Sequence, residues 1–177
     1  MFKKYLPVII ILVGVIVAGI ILVNSKKTPD QNSGAGLSNG EQETVVDEFE
    51  GEKGEQISLA DGKVEIDAEI LDDGLARYYN VNLSNGDIIY FFVVKDKGGV
   101  YRAAANACQV CFGSKMGFRQ EGDNMICNTC NNAYPLEKIA TEKGGCNPGP
   151  INPNLEVKDG KITILESELE EVSGFFN

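Results

Sequence analysis

The chain has 177 residues, of which 16 are basic, 26 are acidic and none is histidine, and its net charge is −10. Four of the 16 basic residues and no acidic ones lie in residues 1–27, so the remainder has 12 basic and 26 acidic residues, a net charge of −14. An acidic surface of this kind argues against nucleic acid as a partner. The lack of histidine excludes Ser-His and Cys-His catalytic pairs, and no Gly-rich phosphate loop occurs, so we expect no stand-alone enzyme.

The first predicted element is an apolar segment, residues 6–23, which contains no charged side chain. A helix of this length reaches about 27 Å, just enough to cross the hydrocarbon core of a bilayer. We expect a single transmembrane signal anchor in the cell membrane, with residues 1–5 in the cytoplasm and the C-terminal domain outside it. The alternative is a cleaved signal peptide, but the apolar stretch is longer than usual and no clean cleavage site follows it.

The second predicted element is an acidic linker, residues 24–56. This segment is rich in Asn, Ser, Gly and Gln, and it contains eight acidic side chains but few large apolar ones. Such a composition is typical of a flexible, self-repelling chain. The linker is expected to let the following domain, residues 57–177, move above the membrane.

Residues 57–177 predict a mainly β domain, a small antiparallel sheet structure that carries its cysteines on loops. Turn dipeptides that accept positive φ recur along it, as two-residue hairpins require, at Asp61-Gly62, Asp73-Gly74, Asn85-Gly86 and Gly98-Gly99. Alternating or apolar runs between them predict strands over residues 64–70, 76–83, 87–95 and 100–105, of which the third should be central. Further hairpins are predicted over residues 118–127 and 155–164, and a helical turn over 167–172 with Ser167 as its cap.

Two Cys-x2-Cys pairs separated by fifteen residues are the main functional signal of the chain. The pairs, Cys108 with Cys111 and Cys127 with Cys130, are candidates for holding one metal ion or cluster through four thiolates. The spacing leaves three alternatives open. They are an iron or iron–sulfur centre, a structural zinc site, and disulfide or thiol redox chemistry.

The fifth cysteine, Cys146, lies in the sequence Gly-Gly-Cys-Asn-Pro of residues 144–148. If the four paired cysteines bind the metal, the Cys146 thiol is one more than a four-cysteine site requires. It is a candidate for an additional metal ligand, a reactive thiol, or a packed residue in a glycine-rich loop that covers the site.

Other side chains near the cysteine pairs are candidates for shaping the site. Gly113 and Gly117 are expected to let the backbone approach a bound cluster closely. Three aromatic residues flank the pairs and are candidates for excluding water, although packing in the core is the simpler interpretation: Phe112, Phe118 and Tyr134.

The layout of this region is similar to a Rieske domain, in which two metal-binding loops emerge from small β-sheets. Rieske centres have two histidine ligands, which this chain lacks, so a centre of that type is excluded. The stretch CQVCFGSKMGFRQEGDNMICNTCNNAYPLEKIATEKGGCNPGPI more closely resembles the FtrD-like family of membrane iron–sulfur-containing proteins. The resemblance lies in the spacing of the cysteine pairs and in the GGCNP sequence, and it extends over about residues 89–165.

The resemblance implies a membrane-attached iron–sulfur electron carrier, which in some bacteria is associated with iron uptake across the cytoplasmic membrane. It implies a cluster held by Cys108, Cys111, Cys127 and Cys130, and a redox or metal-transport protein of the membrane as the partner. Related proteins can have several membrane spans, whereas one is predicted here. The alternative functions are a zinc- or soft-metal-binding module for sensing or delivery, and a thiol–disulfide redox protein.

Overall fold

Strands provide most of the regular structure in residues 48–177, which are the residues described by the computed structural model. In chain order they are β1 (Glu55–Gln56), β2 (Lys63–Asp67), β3 (Arg77–Asn82), β4 (Ile88–Lys95), β5 (Tyr101–Cys108), β6 (Phe118–Glu121), β7 (Asn124–Cys127), β8 (Ala133–Pro135), β9 (Pro148–Leu155), β10 (Val157–Lys158) and β11 (Lys161–Leu165). One short α-helix, α1 (Glu166–Glu170), follows the last strand. Single 3₁₀ turns occur at Ala68–Leu71, Phe112–Ser114, Leu136–Lys138 and Ser173–Phe175.

The strands form three sheets. The largest has five strands in the order β1-β3-β4-β5-β9, in which β1 pairs with β3 in parallel and all other neighbours are antiparallel. Two antiparallel sheets of three strands each have the orders β10-β11-β2 and β6-β7-β8. The prediction of a mainly β fold is confirmed, whereas its likeness to a Rieske domain stays a prediction.

The central strand β4 separates two hydrophobic cores. Successive side chains of a strand point to opposite faces, so Phe91 packs into one core and Phe92 into the other. The first core lies against the β10-β11-β2 sheet and contains Ile66 and Ile164. The second core contains side chains of the β6-β7-β8 sheet. Burial on both faces explains why β4 reads as a continuous apolar run rather than as an alternating one.

Most predicted strands and turns of the domain are confirmed. Strands β3 and β4 lie within the predicted ranges, while β5 continues three residues further, to Cys108. The predicted hairpins correspond to β6 with β7 and to β10 with β11. In each case the hydrophobic pattern and the turn residues agree with the tertiary structure.

The predicted strand over residues 64–70 is too long. Strand β2 ends at Asp67, and the chain then turns into the 3₁₀ turn, where the Ala68 N–H donates to the Gly160 carbonyl at 2.9 Å. This turn buries Leu71 in the first core and leaves Ile70 exposed. Both residues are apolar, so the sequence pattern alone did not distinguish them.

The predicted cap of the C-terminal helical turn is wrong. Helix α1 begins at Glu166, so Ser167 lies inside it rather than in front of it. The N-terminus of α1 is capped by Glu168, whose carboxylate accepts a hydrogen bond from the Leu165 backbone N–H at 2.8 Å. A carboxylate in the first helical turn satisfies a free N–H and interacts favourably with the helix dipole.

The end of the predicted linker belongs to the folded domain. We call residues 48–56 the N-terminal strap. Phe49 is only 5% exposed, and its ring stacks on Tyr90 with 4.2 Å between the ring centroids. Further along the strap, β1 adds a parallel strand to the edge of the large sheet. The folded domain thus includes residues 48–56, which the sequence pattern assigns to the linker, because the Phe49 side chain within this acidic run is buried against Tyr90.

The predicted anchor, residues 6–23, lies outside the described residues, as do the predicted N-terminus, residues 1–5, and the linker as far as residue 47. Within residues 48–177 there is no helix with the length and apolar character needed to span a bilayer.

Candidate metal centre

Each cysteine pair begins at the end of a strand. Cys108 is the last residue of β5 and Cys127 is the last residue of β7, and both side chains are buried. The chain then turns, so that Cys111 becomes half-buried and Cys130 exposed. Two different sheets thus present the two pairs to each other, as expected for a site formed by two Cys-x2-Cys turns.

The sulfur atoms of all five cysteines form one cluster. The Sγ atoms of Cys108, Cys111 and Cys146 lie within 4.8 Å of one another, and so do those of Cys111, Cys127 and Cys130. Cys111 belongs to both groups of three and so lies at the centre of the arrangement. We call these five thiols the sulfur cluster.

The electrostatics of the sulfur cluster favour different protonation states at different positions. Burial raises the pKa of the Cys111, Cys127 and Cys146 thiols, and neighbouring thiols raise it further. The Asn132 backbone N–H lowers the pKa of Cys130 by hydrogen bonding to its sulfur. Several thiolates this close repel each other, so a bound cation is what allows them to ionise together.

The segment that carries Cys146, residues 141–147, lies over the first cysteine pair, and we call it the cover loop. Gln109, which lies between Cys108 and Cys111 in the chain, accepts from the Gly144 N–H and donates to Asn147 Oδ1, both at 2.8 Å. The Gln109 backbone N–H also donates to the Asn147 carbonyl at 3.0 Å. The cover loop is therefore held in place by a side chain of the first Cys-x2-Cys turn itself.

Two further side chains, Asn132 and Asn147, fix the cover loop through three hydrogen bonds. The Asn132 side chain, next to the second cysteine pair, donates to the Cys146 carbonyl at 3.3 Å. The buried Asn147 side chain donates to the Tyr134 hydroxyl at 3.3 Å and to the Glu142 carbonyl at 3.2 Å. The backbone around Cys146 is thus bound to the first pair and to the segment that follows the second pair, so its position does not depend on packing alone.

A buried asparagine supports the turn after the first pair. Asn106 is completely buried; its Oδ1 accepts from the Phe118 N–H at 2.7 Å and its Nδ2 donates to the Glu52 carbonyl at 2.8 Å. Gly117 has φ +62°, and a Cβ added there would lie 2.6 Å from Asn106 Oδ1. The close contact at Gly117 is therefore with Asn106, and the expected approach of its backbone to a bound cluster stays a prediction. At Gly113 no atom of residues 48–177 lies within 4 Å of an added Cβ, so its approach to a bound cluster stays a prediction.

The aromatic residues flanking the pairs differ in position. Phe118 and Tyr134 are buried in the second core together with Cys108 and Cys127, so the inner side of the sulfur cluster is apolar. Phe112 is partly exposed and contacts the ring of Phe175 edge-on.

The outer side of the sulfur cluster is open. Val110 is 60% exposed and Cys130 lies at the surface. The structure therefore combines a shielded inner side with an accessible edge.

Sequence reasoning missed the amides that organise the site, namely Gln109, Asn106, Asn132 and Asn147. A signal was present for Gln109, Asn132 and Asn147, since four Asn residues and one Gln lie within or directly after the Cys pairs and Cys146. Asn106 lies two residues before Cys108 and has no such signal. Amide side chains both donate and accept, so they can bridge loops that have no regular structure.

The donor set fits an iron–sulfur cluster. Among residues 48–177, the groups of three or more potential ligands that come close enough to share a metal ion consist of cysteines alone. Thiolates select soft or borderline metals, and four of them complete either an iron–sulfur cluster or a zinc ion. The geometry supports metal binding and leaves the identity of the metal to other evidence.

That evidence comes from comparison with known proteins. No curated protein and no solved structure has significant similarity to this chain. A family model matches residues 58–176, a range that includes all five cysteines. The family resemblance seen in the cysteine pattern is thereby confirmed, and the chain belongs to the family described as membrane iron–sulfur containing protein, FtrD-like.

Proposed function

We propose that this protein is a membrane-attached iron–sulfur electron carrier, with Cys108, Cys111, Cys127 and Cys130 as the primary cluster ligands. The observation that carries the proposal is the convergence of two strand-borne cysteine pairs in one sulfur cluster. Membership of a membrane iron–sulfur family favours iron over zinc as the metal.

The surroundings of the sulfur cluster suit electron transfer. A bound cluster would supply reversible one-electron chemistry, and its potential depends on burial and on hydrogen bonds to the sulfurs. Here Phe118, Met125 and Tyr134 exclude water from the inner side, while the Asn132 N–H stabilises negative charge on Cys130. The exposed edge at Cys130 gives a redox partner access without any rearrangement of the core.

The partner in this proposal is a redox or metal-transport protein of the membrane, and the process served is iron uptake. Family membership supports the association with the membrane. The apolar segment of residues 6–23 would act as the single anchor and place the domain outside the cytoplasm.

The test is anaerobic purification of the full chain in a mild detergent, followed by iron, zinc and acid-labile sulfide analysis and an absorption spectrum. We expect a coloured protein that contains iron and sulfide and bleaches on reduction. The Cys127→Ala variant should lose the cluster, whereas Ser114→Ala, outside the set of sulfur ligands, should keep it. A colourless protein with stoichiometric zinc would replace the proposal with a zinc module. A metal-free protein with a reversibly oxidised cysteine pair would replace it with thiol redox chemistry.

A further inference from the structure

Cys146 occupies a place in the sulfur cluster that four-cysteine ligation does not explain. Its Sγ lies within 4.8 Å of those of Cys108 and Cys111, and its thiol also interacts with that of Cys130. We propose that Cys146 is a fifth thiolate ligand, able to take the place of Cys108 on the metal centre. This inference rests on the proposed function only for the identity of the native metal.

The contacts of the cover loop are those expected of a segment that positions a metal ligand. Its backbone is bound to the first cysteine pair through Gln109, and to the segment that follows the second pair through Asn132, two residues after Cys130. A half-buried cysteine that only filled space would not need bonds to both metal-binding turns. These contacts hold the Cys146 thiol next to the other sulfurs before any metal is bound, which reduces the ordering cost of metal binding.

The grouping of the sulfurs indicates which ligand Cys146 can replace. Cys146 shares its group of three with Cys108 and Cys111, whereas Cys127 belongs only to the other group. Replacement of Cys108 by Cys146 keeps Cys111, Cys127 and Cys130 in place and preserves four thiolates. No equivalent replacement is available for Cys127.

The exchange is balanced in atoms and charge. In the exchange, one metal–sulfur bond to Cys108 would break and one to Cys146 would form. The Cys146 thiol gives its proton to solvent, and the released Cys108 thiolate takes one up. No electron is transferred, so the step needs no oxidant or reductant.

The first experiment compares alanine variants of the full chain purified anaerobically, because alanine cannot bind the metal. We expect Cys108→Ala to retain iron and sulfide with a changed absorption and electron paramagnetic resonance spectrum. The double variant Cys108→Ala/Cys146→Ala should retain less iron than Cys108→Ala, by a factor of about ten or more. Cys127→Ala should lose its cluster whether or not Cys146 is present. Equal iron content in Cys108→Ala and in the double variant would overturn the proposal.

The second experiment keeps the native sequence, so it does not depend on whether a variant folds. Reduced, metal-free protein is treated with Cd²⁺, a thiolate-seeking probe, then alkylated with iodoacetamide and analysed by mass spectrometry. We expect Cd²⁺ to protect Cys111, Cys127 and Cys130, and to slow the alkylation of both Cys108 and Cys146, because these two thiols share the fourth position. Alkylation of Cys146 at the same rate with and without Cd²⁺ would refute its role as a ligand. If the protein purifies without iron but Cd²⁺ protects Cys146, the proposed function fails and the fifth ligand stands.

Discussion

The Oε1 atom of Gln109 accepts a hydrogen bond from the backbone N–H of Gly144 at 2.8 Å, and this bond joins the first cysteine pair to the cover loop. The Nε2 atom of the same side chain donates to Asn147 Oδ1. A single residue inside the first Cys-x2-Cys turn therefore positions the segment that carries Cys146.

We expect Gln109→Ala to loosen the cover loop. The substitution removes three side-chain hydrogen bonds, to the Gly144 N–H, Asn147 Oδ1 and the Pro148 carbonyl. The free energy of unfolding should therefore fall by about 1–2 kcal/mol. Amide hydrogen exchange in residues 141–147 should accelerate. The matched control is Val110→Ala, since Val110 is the next residue and its side chain is largely exposed. Unchanged exchange in the cover loop of Gln109→Ala would contradict this role.

Alanine substitutions at two glycines should separate backbone strain from steric conflict. Gly117 and Gly122 both have positive φ, but an added Cβ meets Asn106 at Gly117 and no atom of the described residues within 4 Å at Gly122. We expect Gly122→Ala to cost about 1 kcal/mol through the backbone alone. Gly117→Ala should cost about 1–3 kcal/mol more, because the Asn106 side chain has to move. Urea unfolding of both variants measures the difference, and equal losses would show that Asn106 adapts freely.

We expect Phe49→Ala to detach the N-terminal strap. The substitution removes a buried ring that stacks on Tyr90, and removal of a buried phenylalanine side chain costs about 3 kcal/mol or more. Lys53 lies in the strap, so trypsin should cut after this residue faster in the variant than in the native protein. Val157→Ala, which shortens an exposed side chain elsewhere in the domain, should leave the cleavage rate unchanged. Equal cleavage of Phe49→Ala and native protein would mean that the strap is held by other contacts.

The buried carboxylate of Asp96 should make stability depend on acid pH. Burial tends to raise the pKa of Asp96, but hydrogen bonds from the Val100 N–H at 3.0 Å and Arg102 Nε at 2.9 Å outweigh it, so the pKa is lowered. A carboxylate with a lowered folded-state pKa stabilises the fold above its unfolded-state pKa, about 3.9, and loses that contribution as the pH falls through the lower folded value.

Asp96→Asn should therefore be less stable than the native protein at neutral pH by about 1–3 kcal/mol. The difference should shrink below about pH 4, where the native carboxylate becomes protonated. Urea unfolding across this range tests the prediction, with Asp159→Asn in an exposed turn as the control. A difference that stays constant down to the lowest pH would show that Asp96 does not act through its charge.

The parts of the fold that the sequence predicts are those determined by local pattern. Strands β3, β4 and β5 are bounded by turn dipeptides, and their apolar content matches their burial. The cysteine pairs are likewise local, because each pair follows a strand directly and its spacing is visible in the chain. Both features can be predicted without knowing which distant residues are in contact.

Features that depend on contacts between distant segments were missed. Strand β9 contains three prolines, which argue against a strand, yet it is the edge of its sheet, where a missing N–H is tolerated. Phe49 looks like part of a solvated acidic run until its contact with Tyr90 is known. Cys146 was a candidate for three roles, and only the tertiary structure brings it next to Cys108.

The N-terminal strap has a practical consequence for isolating the domain. The backbone N–H groups of Glu50 and Gly51 donate to the Lys115 carbonyl at 3.0 and 3.1 Å, and Lys115 lies between the two cysteine pairs. A fragment that starts at residue 57 would lack both of these donors, strand β1 and the Phe49 ring that stacks on Tyr90. Loss of the two hydrogen bonds to Lys115 would loosen the segment between the cysteine pairs, and with it the sulfur cluster. A fragment prepared for metal analysis should therefore start before Glu48. Poor metal retention in a shorter fragment would result from removal of the N-terminal strap and would say nothing about the native site.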